Sequence, residues 1–88
     1  MTRPDDPRPR KGSLTLSGHR TSVTLEPEFW EVLREMARAR GASLNALAAG
    51  IDAARPPEQG LASALRVAAL RWVRQGAGPE PRPGPGPG

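Results

Sequence analysis

The feature that most constrains this fold is one short segment of strand-like alternation, residues 20–25, ahead of three segments with helical periodicity. Its side chains divide into an inward set and an outward set: Thr21, Val23 and Leu25, and Arg20, Ser22 and Thr24. Such alternation is typical of a strand with one buried face. A single strand leaves its backbone N–H and C=O groups unpaired, so the chain needs a second strand.

Two sources of that second strand are open. Residues 13–16 alternate, and Ser17-Gly18 can form a two-residue turn that pairs Leu16 with His19 and keeps the apolar residues on one face. The other source is the same strand of a second chain, antiparallel about a two-fold axis. We favour the second chain, because so short a segment gains a sufficient core when two chains bury their helices jointly.

Three helical segments follow the strand. The first spans about 27–40 and opens with Pro27, a residue favoured at the first helical position. Ser43 is a good cap for the second helix, which Pro56-Pro57 ends. The third helix spans about 61–76, where Gly76 stops it.

Composition separates a folded segment from its two ends. Fourteen of the 21 Pro and Gly residues fall in residues 1–12 and 76–88, which predicts a disordered basic arm and a disordered Pro/Gly tail. Residues 13–75 remain as one small domain, too short to enclose a deep substrate cavity. The chain has no Cys and one His, so we expect no enzyme, no metal site and no cofactor.

The sequence predicts neither a signal peptide nor a membrane-spanning segment. No apolar run follows the N-terminal cations as a signal peptide requires, and none approaches the roughly 20 residues that span a bilayer. We therefore expect a cytoplasmic protein with no membrane contact. Net charge is +3 in residues 1–20, −2 in 21–60 and +3 in 61–88, a distribution that suits an anionic partner such as nucleic acid.

Strand, helix, Gly-x-Ser and helix in this order resemble the ribbon-helix-helix DNA-binding proteins, the Arc and methionine repressor group. The resemblance rests on Thr-Ser-Val-Thr-Leu-Glu-Pro-Glu-Phe-Trp at 21–30 and Arg-Gly-Ala-Ser-Leu-Asn-Ala-Leu at 40–47. Within that group the chain is most similar to short bacterial proteins with an added third helix, here opened by Leu-Ala-Ser-Ala-Leu-Arg at 61–66. The resemblance implies a mainly α fold in which one N-terminal strand pairs across a two-fold homodimer and three helices follow.

The same resemblance implies that the paired strands enter the major groove of duplex DNA, which admits a two-stranded ribbon. The implied base contacts come from the outward strand residues Arg20, Ser22 and Thr24. The implied phosphate contacts come from the backbone N–H groups of Ser43, Leu44 and Asn45. If residues 13–18 stay mobile, we expect the basic arm to carry Arg10 and Lys11 towards flanking phosphates. The implied dimer core contains Val23, Leu25, Phe29, Leu33, Leu47 and Ile51.

We therefore expect a homodimeric, sequence-selective DNA-binding protein, a small regulator of transcription. The alternative is a dimeric module for protein contacts, an adaptor or an antitoxin-like protein, with the helix at 61–75 as its docking element. A hairpin that includes residues 13–18 would favour the alternative. Pairing two such hairpins gives four strands, whose three spacings of about 4.8 Å add up to roughly 14 Å, more than the width of a major groove, about 12 Å.

Overall fold

The computed structural model describes residues 8–76, which form a two-stranded sheet followed by three helices. The elements are β1 (Arg10–Leu16), β2 (His19–Leu25), α1 (Pro27–Ala39), α2 (Leu44–Ala54) and α3 (Leu61–Arg74). The three helices are confirmed close to their predicted bounds. Residues 1–7 and 77–88, which hold most of the predicted arm and tail, lie outside the described residues.

The expectation of one strand per chain is wrong, because β1 and β2 pair antiparallel within the chain. The register joins Leu16 to His19 across the two-residue turn Ser17-Gly18. Both turn residues have positive φ, 52° at Ser17 and 80° at Gly18, as a type I′ turn requires. The intrachain source of the second strand is therefore the one realised, and any pairing between chains has to use an outer edge of this hairpin.

The hairpin also begins earlier than the predicted domain boundary. Residues 10–12, which composition assigns to a disordered arm, pair with residues 23–25 of β2. A tertiary contact fixes them, because Trp30 packs against this part of β1 and its Nε1 donates to the carbonyl of Arg10 at 2.9 Å. A Cβ built at Gly12 would lie 2.7 Å from Trp30 Cζ2, so the approach requires glycine.

The core lies between the inner face of the hairpin and the three helices. Its buried apolar residues are Leu14, Leu16, Val23, Leu25, Trp30, Leu33, Met36, Ala37, Leu47, Ala48, Ala64, Leu65, Ala69 and Trp72. Leu65 of α3 is as fully buried as Leu25 of β2, which makes α3 a part of the core. Among residues 8–76 no polar or charged side chain is buried, so apolar burial dominates the stability of the fold.

The junction between α1 and α2 follows the predicted signals. Gly41 follows Arg40, the C-cap of α1, and has φ 66°, a left-handed conformation that glycine adopts without strain. Ser43 caps α2, since its Oγ accepts a hydrogen bond from the Ala46 N–H at 3.0 Å. This cap fixes where α2 begins and which of its backbone amides remain free.

Candidate nucleic-acid interface

The outer face of the hairpin carries only polar side chains. Six exposed residues form it: Lys11, Ser13 and Thr15 on β1, and Arg20, Ser22 and Thr24 on β2. They face one another in three cross-strand pairs: Lys11 with Thr24, Ser13 with Ser22, and Thr15 with Arg20. Two are cationic, four are hydroxyls and none is acidic, so this hairpin face donates hydrogen bonds and attracts anions. The three residues predicted to contact bases therefore lie beside three β1 residues that this prediction did not include.

The hairpin has two outer edges with backbone groups that point away from it. In a two-residue hairpin the pair next to the turn is hydrogen-bonded, and the pairs then alternate. The edge of β2 accordingly presents the N–H and C=O groups of Arg20, Ser22 and Thr24, and the edge of β1 those of Lys11, Ser13 and Thr15.

Two of these edge groups have partners. The Thr15 N–H donates to Asn45 Oδ1 at 3.1 Å, and Arg66 Nη2 donates to the Thr24 carbonyl at 3.5 Å. The other edge groups have no hydrogen-bond partner among residues 8–76. Each edge is thus closed at one end and open along the rest of its length.

The N-terminus of α2 lies at the outer edge of β1, where Asn45 meets Thr15. The first backbone amides of a helix have no acceptor within the helix. Ser43 Oγ accepts from the Ala46 N–H, whereas the amides of Leu44 and Asn45 have no acceptor in the described part of the chain. These amides lie at the positive end of the helix dipole, as the predicted phosphate contact requires. The Asn45 side chain, by contrast, is already engaged with the hairpin.

A cleft of about 310 Å³ opens between β1, α1 and the start of α2; we call it the β1 cleft. Three of the five predicted phosphate-contacting residues line it, namely Arg10, Lys11 and Leu44, whereas Ser43 and Asn45 do not. Arg34 of α1, an exposed residue that the sequence analysis did not single out, also lines it. The available signal for Arg34 was its i,i+4 spacing from Trp30, a residue that also lines the β1 cleft.

The residues predicted for a shared dimer core lie mostly inside the core of one chain. Four are buried there, Val23, Leu25, Leu33 and Leu47, while Phe29 and Ile51 are partly exposed. β1 contributes to this burial, because its Leu14 and Leu16 belong to the same buried cluster as Val23 and Leu25. Of the six, a partner can therefore reach only Phe29 and Ile51 without opening the fold.

Arg66 of α3 joins the end of β2 to the start of α1. Its Nε donates to Glu26 Oε1 at 3.1 Å, and its guanidinium carbon lies 5.9 Å from the centroid of the Phe29 ring. The pKa of Glu26 lies below its ordinary value, first because the carboxylate accepts a hydrogen bond from its own backbone amide and then because of Arg66. Both side chains are more than a third exposed, so solvent screening keeps the contribution of this ion pair small.

Glu26→Gln should reduce the loss of stability that the chain undergoes on acidification. Since the pKa is lowered in the folded chain, Glu26 contributes stability above its ordinary pKa of 4.5, and this contribution is lost as the pH falls through the lowered value. Urea unfolding at about pH 7 and about pH 3 measures the difference in the free energy of unfolding.

The control for this experiment is Glu28→Gln, a matched change in the first turn of α1. Glu28 has no ion-pair partner among residues 8–76, so this variant removes one carboxylate from the first turn without breaking an ion pair, and it should change the pH dependence less than Glu26→Gln does. An equal effect of the two substitutions would assign the pH dependence to the helix terminus and not to the hydrogen bonds that the Glu26 carboxylate accepts.

α3 presents the large apolar side chains that are exposed among residues 8–76. Leu70 and Val73 are each 51% exposed, and they follow Arg66 by four and seven positions on one face of the helix.

None of the helices in the described range is both long and apolar enough to cross a membrane.

Comparison with known proteins assigns these elements to a family. Residues 9–73 match the family model described as a ribbon-helix-helix domain, which confirms the resemblance found in the sequence. Among solved structures, an uncharacterized protein from Bordetella pertussis Tohama I is similar, with a TM-score of 0.69 and 29% identity over 86% of this chain. The chain spans 64% of the length of that protein. No curated protein matches in sequence.

Proposed function

We propose that this chain, which belongs to the ribbon-helix-helix domain family, regulates transcription as a homodimer that binds duplex DNA through the hairpin face. Domains of this family are typically DNA-binding regulators. The observation that carries the proposal is the composition of that face, two cations and four hydroxyls without an acidic or apolar side chain. Such a surface complements phosphates and the acceptor-rich edges of bases in the major groove.

The proposed dimer forms through the outer edge of β2. Its open backbone groups, at Arg20 and Ser22, would be satisfied by antiparallel pairing with a second chain about a two-fold axis near Ser22. The product is a four-stranded sheet in the order β1-β2-β2-β1. Arg20, Ser22 and Thr24 then lie on its two central strands.

This sheet is wider than the two-stranded ribbon that the family resemblance implies. The three spacings between four strands, about 4.8 Å each, add up to roughly 14 Å, whereas the major groove is about 12 Å wide. The sheet accordingly lies across the groove, with Arg20 reaching down to the base edges. Lys11 and the first turn of α2 lie at the margins, where the phosphates are. This arrangement favours phosphate contacts over base contacts, so we expect modest sequence selectivity.

Arg20→Ala should weaken binding to a duplex selected from random DNA by about 1–3 kcal/mol, or roughly 5- to 150-fold. The physical reason is the loss of the bidentate contact that a guanidinium makes with guanine. Fluorescence anisotropy with the selected duplex and with a random duplex, over about 50–200 mM salt, measures both affinity and selectivity. The affinity for the random duplex should change less.

Two further cations serve as controls for Arg20. Lys11 lies on the same face but on an outer strand, so Lys11→Ala should weaken binding to both duplexes equally. The slope of the logarithm of affinity against the logarithm of salt concentration should fall by about 1 for each phosphate that the protein no longer neutralises. Arg38 is exposed on α1 and lies outside the hairpin face, so Arg38→Ala should change the affinity for neither duplex. If Arg20→Ala retained the selectivity of the wild type, the hairpin face would not be the surface that reads bases.

A second candidate function is a dimeric module that binds a protein partner, as an adaptor or an antitoxin-like protein does. Two observations favour it. The hairpin makes the paired sheet wider than the major groove, and Leu70 and Val73 are exposed on α3, as are the apolar side chains that occupy the centre of protein interfaces. A titration of the dimer with duplex DNA separates the two functions. A dimer that does not bind DNA at about 50 mM salt, where phosphate contacts are strong, would leave protein contact as the function.

A further inference from the structure

The outer edge of β1 is a second open strand edge, separate from the β2 edge assigned to the dimer. The backbone N–H and C=O groups of Lys11 and Ser13 point outward there and have no partner among residues 8–76. Alternating donors and acceptors along a free edge form a template for another strand. The edge is closed at its turn end, since Asn45 Oδ1 already takes the Thr15 N–H.

This edge borders the β1 cleft. Two partly exposed apolar residues, Pro27 and Leu44, line the cleft together with the nearly buried Leu14 and Trp30, and we call these four residues its apolar floor. The cleft volume of about 310 Å³ lies at the lower end of the roughly 300–1,000 Å³ of ligand sites. There is consequently room for a few residues in extended conformation beside the strand, with apolar side chains against the floor.

The rim of the β1 cleft is cationic. Arg10, Lys11 and Arg34 line it together with one acidic residue, Glu31. None of the three cations forms an ion pair with another of residues 8–76. This surplus of positive charge complements a segment that carries carboxylates.

We propose that the β1 cleft binds an extended acidic segment of a partner protein, which adds a strand to the outer edge of β1. Lys11 and Ser13 pair with the main chain of the segment, its apolar side chains lie on Pro27 and Leu44, and its carboxylates meet the cationic rim. A phosphate would use the cations and the N–H groups, but it would leave the two outward carbonyls and the apolar floor unused. The combination of features therefore favours a peptide over a nucleic acid at this edge.

The test is a titration of the ¹⁵N-labelled full chain with the blocked peptide acetyl-Glu-Val-Glu-Val-Glu-amide, followed by nuclear magnetic resonance. The amide resonances of Lys11 and Ser13 should shift, and their hydrogen exchange should slow as new hydrogen bonds form. The amides of Arg20 and Ser22, on the opposite edge, should not change. The same peptide N-methylated at its central residue should bind at least about ten-fold more weakly, because it lacks a main-chain donor.

Two pairs of variants locate the peptide on the protein. Ser13→Pro removes an outward N–H without removing a hydrogen bond of the hairpin, so it should lower the affinity for the peptide at least about ten-fold. Ser22→Pro, on the other edge, should leave this affinity unchanged. Arg34→Glu should weaken it about five-fold by reversing a rim charge. Arg38→Glu, an exposed cation of α1 that does not line the cleft, should leave it unchanged.

Three results would overturn the proposal. One is full binding of the N-methylated peptide, and another is a set of shifts confined to the β2 edge or absent at about 1 mM peptide. The third uses a short duplex DNA in the same titration. If the DNA shifts the Lys11 and Ser13 amides and the acidic peptide does not, the β1 cleft is a phosphate site.

Discussion

Ser22→Pro is expected to convert the proposed dimer into a folded monomer with most of its DNA affinity lost. Ser22 and Ser13 form a pair without mutual hydrogen bonds, so the Ser22 N–H points to the outer edge of β2. Proline removes that donor and places a ring where a neighbouring strand would pair. In a two-fold dimer the loss occurs twice near the axis, so the dimer dissociation constant should rise at least about 100-fold.

Sedimentation velocity over a range of protein concentrations measures this change. The DNA affinity of the variant should fall with it, since a monomer makes half of the phosphate contacts and releases half of the counterions. The slope of the logarithm of affinity against the logarithm of salt concentration should fall by about half. A variant that stays dimeric at the concentrations where the wild type does would exclude pairing through the β2 edge.

The matched control is Ser13→Pro, the same substitution in the cross-strand partner of Ser22. Its N–H points to the opposite edge, so this variant should remain dimeric. Circular dichroism and thermal unfolding should show similar small losses of stability for both variants, because each alters one strand of the same pair. If both became monomers, the loss would come from disruption of the hairpin and not from its β2 edge.

The parts of the fold that could be predicted from the sequence depend on local patterns. Alternation over residues 20–25 defines β2 and its two faces, and Pro27, Gly41 and Ser43 delimit the helices by their own conformational preferences. The first half of β1 lacks such a pattern, since Arg-Lys-Gly-Ser at 10–13 contains weak strand formers that follow several prolines. Its conformation depends on Trp30, which lies 20 positions away from Arg10.

The candidate site divides in the same way. The outward set of β2 follows from alternation alone, so the exposure of Arg20, Ser22 and Thr24 could be predicted. The β1 cleft could not, because it exists only where β1, α1 and the start of α2 come together and place Arg34 beside Lys11. Four of the six residues expected in a dimer core are already buried within one chain, and the sequence pattern does not distinguish such burial from burial between two chains.

Trp30→Ala is expected to destabilise the fold by about 3–5 kcal/mol. Trp30 is 5% exposed, packs against β1 and donates to the Arg10 carbonyl, so its truncation leaves a cavity under the strand. Urea unfolding followed by circular dichroism measures the loss, and hydrogen exchange should show that β1 loses protection more than β2 does. A domain of this size is marginally stable, so the variant should be partly unfolded even without urea.

Gly12→Ala tests the same contact from the strand side. The new Cβ would lie 2.7 Å from Trp30 Cζ2 and 2.8 Å from Cη2, which should cost about 1–3 kcal/mol. In a Trp30→Leu background the smaller side chain leaves room, so the same substitution should cost less than about 0.5 kcal/mol.

Gly50→Ala is the control for Gly12→Ala. Apart from its chain neighbours and the surrounding backbone of α2, no atom of residues 8–76 lies within 4 Å of a Cβ placed at Gly50, in the interior of α2, so this variant should gain about 0.5–1 kcal/mol from helix propensity. A neutral Gly12→Ala in the wild-type background would mean that Trp30 does not hold β1 in place. The β1 cleft would then lack the fixed strand edge that its proposed peptide partner requires, so this stability measurement also tests the binding proposal.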